Sequence, residues 1–212
     1  MQRNQFIKSS LFAFAGATLL PRPSFSQAHF DREESRFIIG PTEGYSPYIG
    51  ILVSMMNYMR LDVLAAVKKL TQPDLDFLLD AKANTIGALL LHLASADYYY
   101  HVSTFGNRQF NEEENKKYGL GLELGDKGRQ VIKGHDLNYY TDILNETRDK
   151  TLAEFKKRDD KWLMTVTPQF FDNMPTNNYC KWFHVCEHES HHLGQIDFQL
   201  KRLPSAKNDG KE

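Results

Sequence analysis

The chain is poor in cysteine, has no excess of charge of either sign, and carries near its start an apolar run too short to cross a bilayer. Only two cysteines stand among the 212 residues. Cys180 and Cys186 fall on one predicted helix, about 9 Å apart along its axis. That exceeds the ~7 Å Cα separation a disulfide tolerates, so both are expected to be free, buried thiols. The net charge is −1, from 26 Lys+Arg against 27 Asp+Glu. With no long basic run, the electrostatic footprint of a nucleic-acid binder is missing. Lys156, Lys157 and Arg158 read as solvated helix surface.

The apolar stretch Leu11 to Leu20 is about half the ~20 residues a spanning helix needs. Arg3 and Lys8 precede it, Pro21 and Pro23 follow, and small residues stand at Ser26 and Ala28. This is the layout of a secretory signal, which we prefer to a retained anchor. Residues 1–28 are expected to be cleaved after Ala28, leaving an exported protein, periplasmic or extracellular. Arg3 to Lys8 is similar to a twin-arginine signal with its second arginine replaced, so either export route fits.

The rest reads as helix. Aromatic content is 12% and hydrophobic content 41%, enough for one sizeable core. A linker, 29–44, leads into a domain at 45–204. Its first helix follows Ser46-Pro47 and runs to about Leu70, stopped by Pro73, with Leu52, Met56, Met59, Val63 and Val67 at three- and four-residue spacing. A second starts near Asn84-Thr85 and continues through Leu89, His92 and Ala96 to about Val102. Residues 106–134 form a long glycine-punctuated connection, of the kind that is often functional or mobile, with room for a short helix within it. Asp136 caps a third helix through Tyr140, Leu144 and Phe155. After Pro168 and Pro175, a fourth runs from about Asn177 to Leu203. The tail 205–212 is expected to be disordered. No repeat and no strand pair is evident. Four amphipathic segments in one domain predict an all-α four-helix bundle with its site between facing helices.

The chemistry concentrates in Trp182 to Ile196, which holds four of the eight histidines. At ~100° per residue, His184, His188 and His192 advance only about 40° per step along one face. Two imidazoles four apart can aim at one ion, and zinc or nickel accepts neutral imidazole at ~2.0–2.1 Å; manganese and iron are open alternatives. The third ligand is expected from His92, a histidine in an apolar helix whose neighbours Ala88 and Ala96 allow close approach. On its own, such a residue reads as a hydrogen-bonded core histidine; the metal-spaced pair reverses that. His184 and His191 are assigned as outer partners or gates. Gln195 is expected beside the metal ligands or lining the site, where it can orient an incoming ligand, and the tyrosines 98–100 are expected to line the mouth. Asp97 and Glu187 are read as surface carboxylates that can orient ligands, while His29, His101 and His135 are surface or loop residues.

His188-Glu-Ser-His-His192 also satisfies the H-E-x-x-H protease pattern, and His184 to His188 its inverted form. Such an enzyme takes its third ligand downstream, where Leu193 to Glu212 holds no histidine. The protease reading is therefore disfavoured.

Lys181 to Ile196, with a tryptophan, H-x-x-x-H, an adjacent second histidine and Gly-Gln-Ile, resembles the last-helix signature of DinB-like proteins. Ile86-Gly-Ala-Leu-Leu-Leu-His92-Leu is similar to their second-helix signature. The resemblance spans about residues 45–203. It implies an up-down-down-up bundle, a metal on His92, His188 and His192, and a homodimer. It also implies a small-molecule substrate with a low-molecular-weight thiol, as in thiol S-transferases and a maleylpyruvate isomerase. The leading expectation is a metal-dependent transferase or hydrolase that activates a thiol or water. The rivals are a non-catalytic, stress-related metal module and a metal-free bundle with His92 remote from the cluster.

Overall fold

A computed structural model describes residues 36–207. The signal-like segment, its cleavage position, residues 29–35 and the tail beyond 207 lie outside the described residues. Four long helices dominate: α1 (Pro47–Val67), α2 (Ile86–Phe105), α3 (Leu137–Phe155) and α4 (Asn178–Leu200).

Three of the expected starts are built as the sequence implies. The Thr85 hydroxyl accepts from the Ala88 amide at 3.1 Å, Asp136 from Tyr139 at 2.9 Å, and Asn177 from Cys180 at 2.8 Å. Helix α1 is capped differently. Ser46 makes no local cap; instead Asp160 Oδ1 accepts from the Ser46 hydroxyl at 2.6 Å and from the amides of Tyr48 and Ile49. This helix ends at Val67 rather than Leu70. Pro73 does not merely stop it, but sits in the first turn of a short helix, Gln72–Leu75, boxed by Thr71 and Asp74.

Cross-helix contacts fix the directions. The start of α2 meets the end of α4 where Asn84 O accepts from Gln199, and its end meets the start of α4 where Trp182 Nε1 donates to Thr104; these helices are antiparallel. Gly87 abuts Tyr140, and Phe105 abuts Phe155, so α2 and α3 run parallel. Arg60 reaches Leu144 and Arg148 reaches Met56, so α1 and α3 are antiparallel. The result is up-down-down-up. One core cluster gathers Val63, Leu89, Leu144 and Ile196; the other gathers Leu52, Met56, Phe155 and Trp182.

The connections hold more regular structure than the sequence implies, beyond the one short helix expected within 106–134. Residues 112–123 are continuously helical, Glu112–Glu114 and Leu120–Glu123 flanking a π turn at Asn115–Gly119. Leu124, at φ 55, breaks the chain before a further helix, Gly125–Val131. Two two-residue strands, β1 (Val166–Thr167) and β2 (Thr176–Asn177), pair antiparallel where no pair was expected. They are too short for a period to show. Ser205–Lys207 form one 3-10 turn, and the Ser205 hydroxyl donates to Asp74 at 2.6 Å, so the tail starts anchored. Cys186 is buried and Cys180 exposed, both free; Cys180 stands on the first turn of α4, before the bundle closes over it.

Candidate metal centre

His92, His188 and His192 come together. His92 Nε2 lies 3.1 Å from His188 Nε2, which lies 3.0 Å from His192 Nε2. One nitrogen from each ring falls within 4.8 Å of the others. His92 stands midway along α2, His188 and His192 midway along α4, and the antiparallel crossing of the two helices brings the pair to the single residue.

The outward-facing nitrogens decide the chemistry. His92 Nδ1 is 2.9 Å from the Gly121 carbonyl, and His192 Nδ1 is 3.0 Å from Gln195 Oε1. Both partners accept only, so each Nδ1 carries the hydrogen and each Nε2 presents a lone pair. Both lone pairs face His188 Nε2, which carries at most one hydrogen. At least one contact therefore sets lone pair against lone pair, and a cation among the three nitrogens removes that conflict. On a tetrahedral zinc two imidazole nitrogens lie roughly 3.3 Å apart, close to the 3.0 and 3.1 Å found here. Burial lowers the pKa of all three rings; for His188 and His192 the neighbouring imidazoles add to the fall, which reaches about 3 and about 4. Neutral rings are the ligand form.

The other sequence candidates separate. Gln195 holds His192 rather than facing an incoming ligand. His184 Nδ1 pairs with Glu187 at 2.9 Å, and its ring centre lies 5.6 Å from that of His188. His191 is exposed. Neither completes a four-histidine shell. Tyr100 backs His184 at 5.9 Å, while Tyr98 turns aside and donates to Glu114 at 2.9 Å. His101 is not a free surface residue: it is half-buried and stacks on Tyr98.

Asp97 is not a surface carboxylate. It is fully buried and belongs to a quartet with Arg60, Arg148 and Glu189, one residue from each long helix. Arg148 Nε donates to Asp97 Oδ2 at 2.9 Å and its NH2 group to Glu189 Oε1 at 2.8 Å. Arg60 donates to the same Glu189 oxygen at 2.6 and 2.9 Å and reaches Asp97 at 3.4 Å. Burial tends to raise the Asp97 pKa, yet the two arginines bring it below the ordinary carboxylate value. Glu189 is the glutamate of the H-E-x-x-H pattern. It points at the arginines and into the core, which removes it as a protease's general base. A signal for the quartet existed: Arg60 and Arg148 occupy the same inward stripes as Met56 with Val63, and Leu144 with Thr151.

Beyond the histidines, a cleft of about 470 Å³ opens beside the hairpin, lined by Phe171, Met174, Pro175 and Cys180 among others. Phe171 lies edge-on to His184 at 5.2 Å. Cys180, His184, His188 and His192 follow one another at four-residue steps along α4, turning about 40° at each, so His184 stands between the cleft and the histidine cluster.

The family model for mycothiol S-transferases matches residues 51–199. A crystal structure described as the conserved protein of locus from Enterococcus faecalis superposes with a TM-score of 0.57 at 11% identity. The match covers 71% of this chain and 94% of that one, and shows a shared fold. No curated protein matches.

Proposed function

The chain belongs to the mycothiol S-transferase family, within the DinB-like proteins, and we propose that it is an exported, metal-dependent enzyme joining a low-molecular-weight thiol to an electrophilic small molecule. The observation that carries this reading is the convergence of three imidazole nitrogens, two of them fixed as lone-pair donors by Gly121 and Gln195. Zinc or nickel suits the donor set best.

A divalent ion bound there would supply the positive charge that lets a neighbouring thiol lose its proton near neutral pH. His92, His188 and His192 would hold the ion, and this three-histidine set, with His184 and His191 outside it, would leave a position for another ligand. An open position favours catalysis over a purely structural site. It also favours an enzyme over the non-catalytic module. The same position admits water, which would make a hydrolase; family membership favours the thiol. The cleft beside the hairpin offers space for an apolar substituent of the electrophile, with Phe171 as the shared wall.

Purified protein should carry close to one equivalent of zinc or nickel by elemental analysis, and His92→Ala and His188→Ala should each lose most of it. Unchanged metal in both variants defeats the ligand assignment. Thiol-dependent consumption of a small electrophile should stop on chelation and return with zinc or nickel. A rate indifferent to chelation removes the metalloenzyme reading.

A further inference from the structure

The buried quartet carries an inference that rests on the three-histidine reading and extends it. Arg60, Asp97, Arg148 and Glu189 are each at most 5% exposed, at the centre of a small bundle. Such a network is a poor device for stability alone, since desolvating four charges costs as much as their attraction returns. Its geometry suggests another use.

Arg60 and Arg148 tie α1 and α3 reciprocally: Arg60 donates to the Leu144 carbonyl, and Arg148 donates to the Met56 carbonyl at 2.9 Å. With their stems fixed on this pair, both guanidinium groups reach across to the other pair. They take Asp97 from α2 and Glu189 from α4, and the Thr151 hydroxyl holds the second Asp97 oxygen at 2.8 Å. The helices that carry the histidines are thus referenced to the same two cations.

Glu189 follows His188 directly and precedes His192 by three residues. On an α-helix, His188 and His192 lie about 100° and about 60° from it, on the same side. Pinning Glu189 therefore sets the roll of α4 and aims both rings. Asp97, five residues beyond His92, does the same for α2. A roll of about 20° would move an atom ~5–6 Å from the helix axis by roughly 2 Å, as long as a zinc–nitrogen bond. Apolar packing alone tolerates such a roll better than a fixed set of hydrogen bonds does.

We infer that the Arg60–Asp97–Arg148–Glu189 quartet is a positioning device that sets the relative roll of α2 and α4, and so makes three imidazoles from two helices a single metal site. The four residues touch neither metal nor substrate. Their work is done through His92, His188 and His192.

The test separates positioning from stability. In a quadruple variant, Arg60→Met, Asp97→Leu, Arg148→Met and Glu189→Met, the metal-free protein is expected to stay folded and to melt no lower than wild type. Its zinc affinity, read by chelator competition, is expected to fall at least tenfold, and the visible spectrum of its cobalt form to change. Glu189→Gln keeps the shape and removes one charge; it is expected to show the same spectral change to a smaller degree, and it decides the matter if the quadruple variant does not fold. A folded variant with wild-type affinity and spectrum overturns the inference while leaving the three-histidine site intact. Zinc binding absent from the wild type itself overturns both.

Discussion

The bond from His192 Nδ1 to Gln195 Oε1, at 3.0 Å, fixes which nitrogen of that ring faces the cluster. Partners of this kind typically account for ten- to a hundredfold in metal affinity. Gln195 is exposed, so water competes for the same Nδ1 hydrogen and the lower end applies. Gln195→Ala is expected to weaken zinc binding about tenfold, and Gln195→Glu, which still accepts, to restore most of it; equal affinities for all three proteins would mean the contact is idle. At this scale the sequence was informative about the ligands and misleading about their surroundings. His188 and His192 declare themselves by spacing, and His92 by being polar in an apolar helix. Asp97 and Glu189 do not, because a carboxylate on a helix is surface by default. Only the inward stripes on which Arg60 and Arg148 also fall point to the quartet. Gln195, expected beside the ligands, stands against His192.

Among the elements, caps and helical periods made α1 to α4 legible within a few residues. The stretch 112–123 was not, because Gly119 and Gly121 are poor helix formers and tertiary contact holds them in place. Gly121 shows how. A Cβ there would meet Ser95 Oγ at 2.5 Å and Leu91 Cγ at 2.8 Å, so the backbone lies directly on α2. That closeness brings the Gly121 carbonyl to His92, and the adjacent π turn fits the tendency of such turns to mark functional sites. Gly121→Ala is expected to cost about 1–3 kcal/mol by overpacking and to weaken zinc binding, since the carbonyl moves off His92. Gly128→Ala is the control. It lies inside Gly125–Val131, and its Cβ would meet Ile132 at an ordinary 3.6 Å. Helix propensity then favours alanine by up to about 1 kcal/mol. Urea midpoints that move the same way for both variants would show that the close approach at Gly121 is not what holds the stretch down.

For the whole molecule, the histidine cluster makes folding depend on pH when no metal is bound. Burial, with the neighbouring imidazoles, holds His188 at about 3 and His192 at about 4 in the folded chain, and burial alone lowers His92. In the unfolded chain each titrates near its ordinary value of about 6.5. Between those limits the unfolded state binds more protons, so stability rises with pH in that window. The contribution is complete above about pH 6.5 and is lost as pH falls toward 4 and then 3. Asp97 adds to acid loss only lower down, since its depressed pKa acts below the ordinary carboxylate value of about 4. Comparing the chelated protein at pH 7.5, 5.5 and 4.5 therefore stays within the imidazole window, which His101, also lowered by burial, shares with the cluster. The urea midpoint should drop across that range, and His188→Gln with His192→Gln should flatten the drop. Zinc should raise the midpoint most at the higher pH values, where neutral rings accept it without displacing protons. An equal slope in wild type and double variant would mean that the three rings are not held neutral together, and that the lone-pair conflict calling for a cation does not arise.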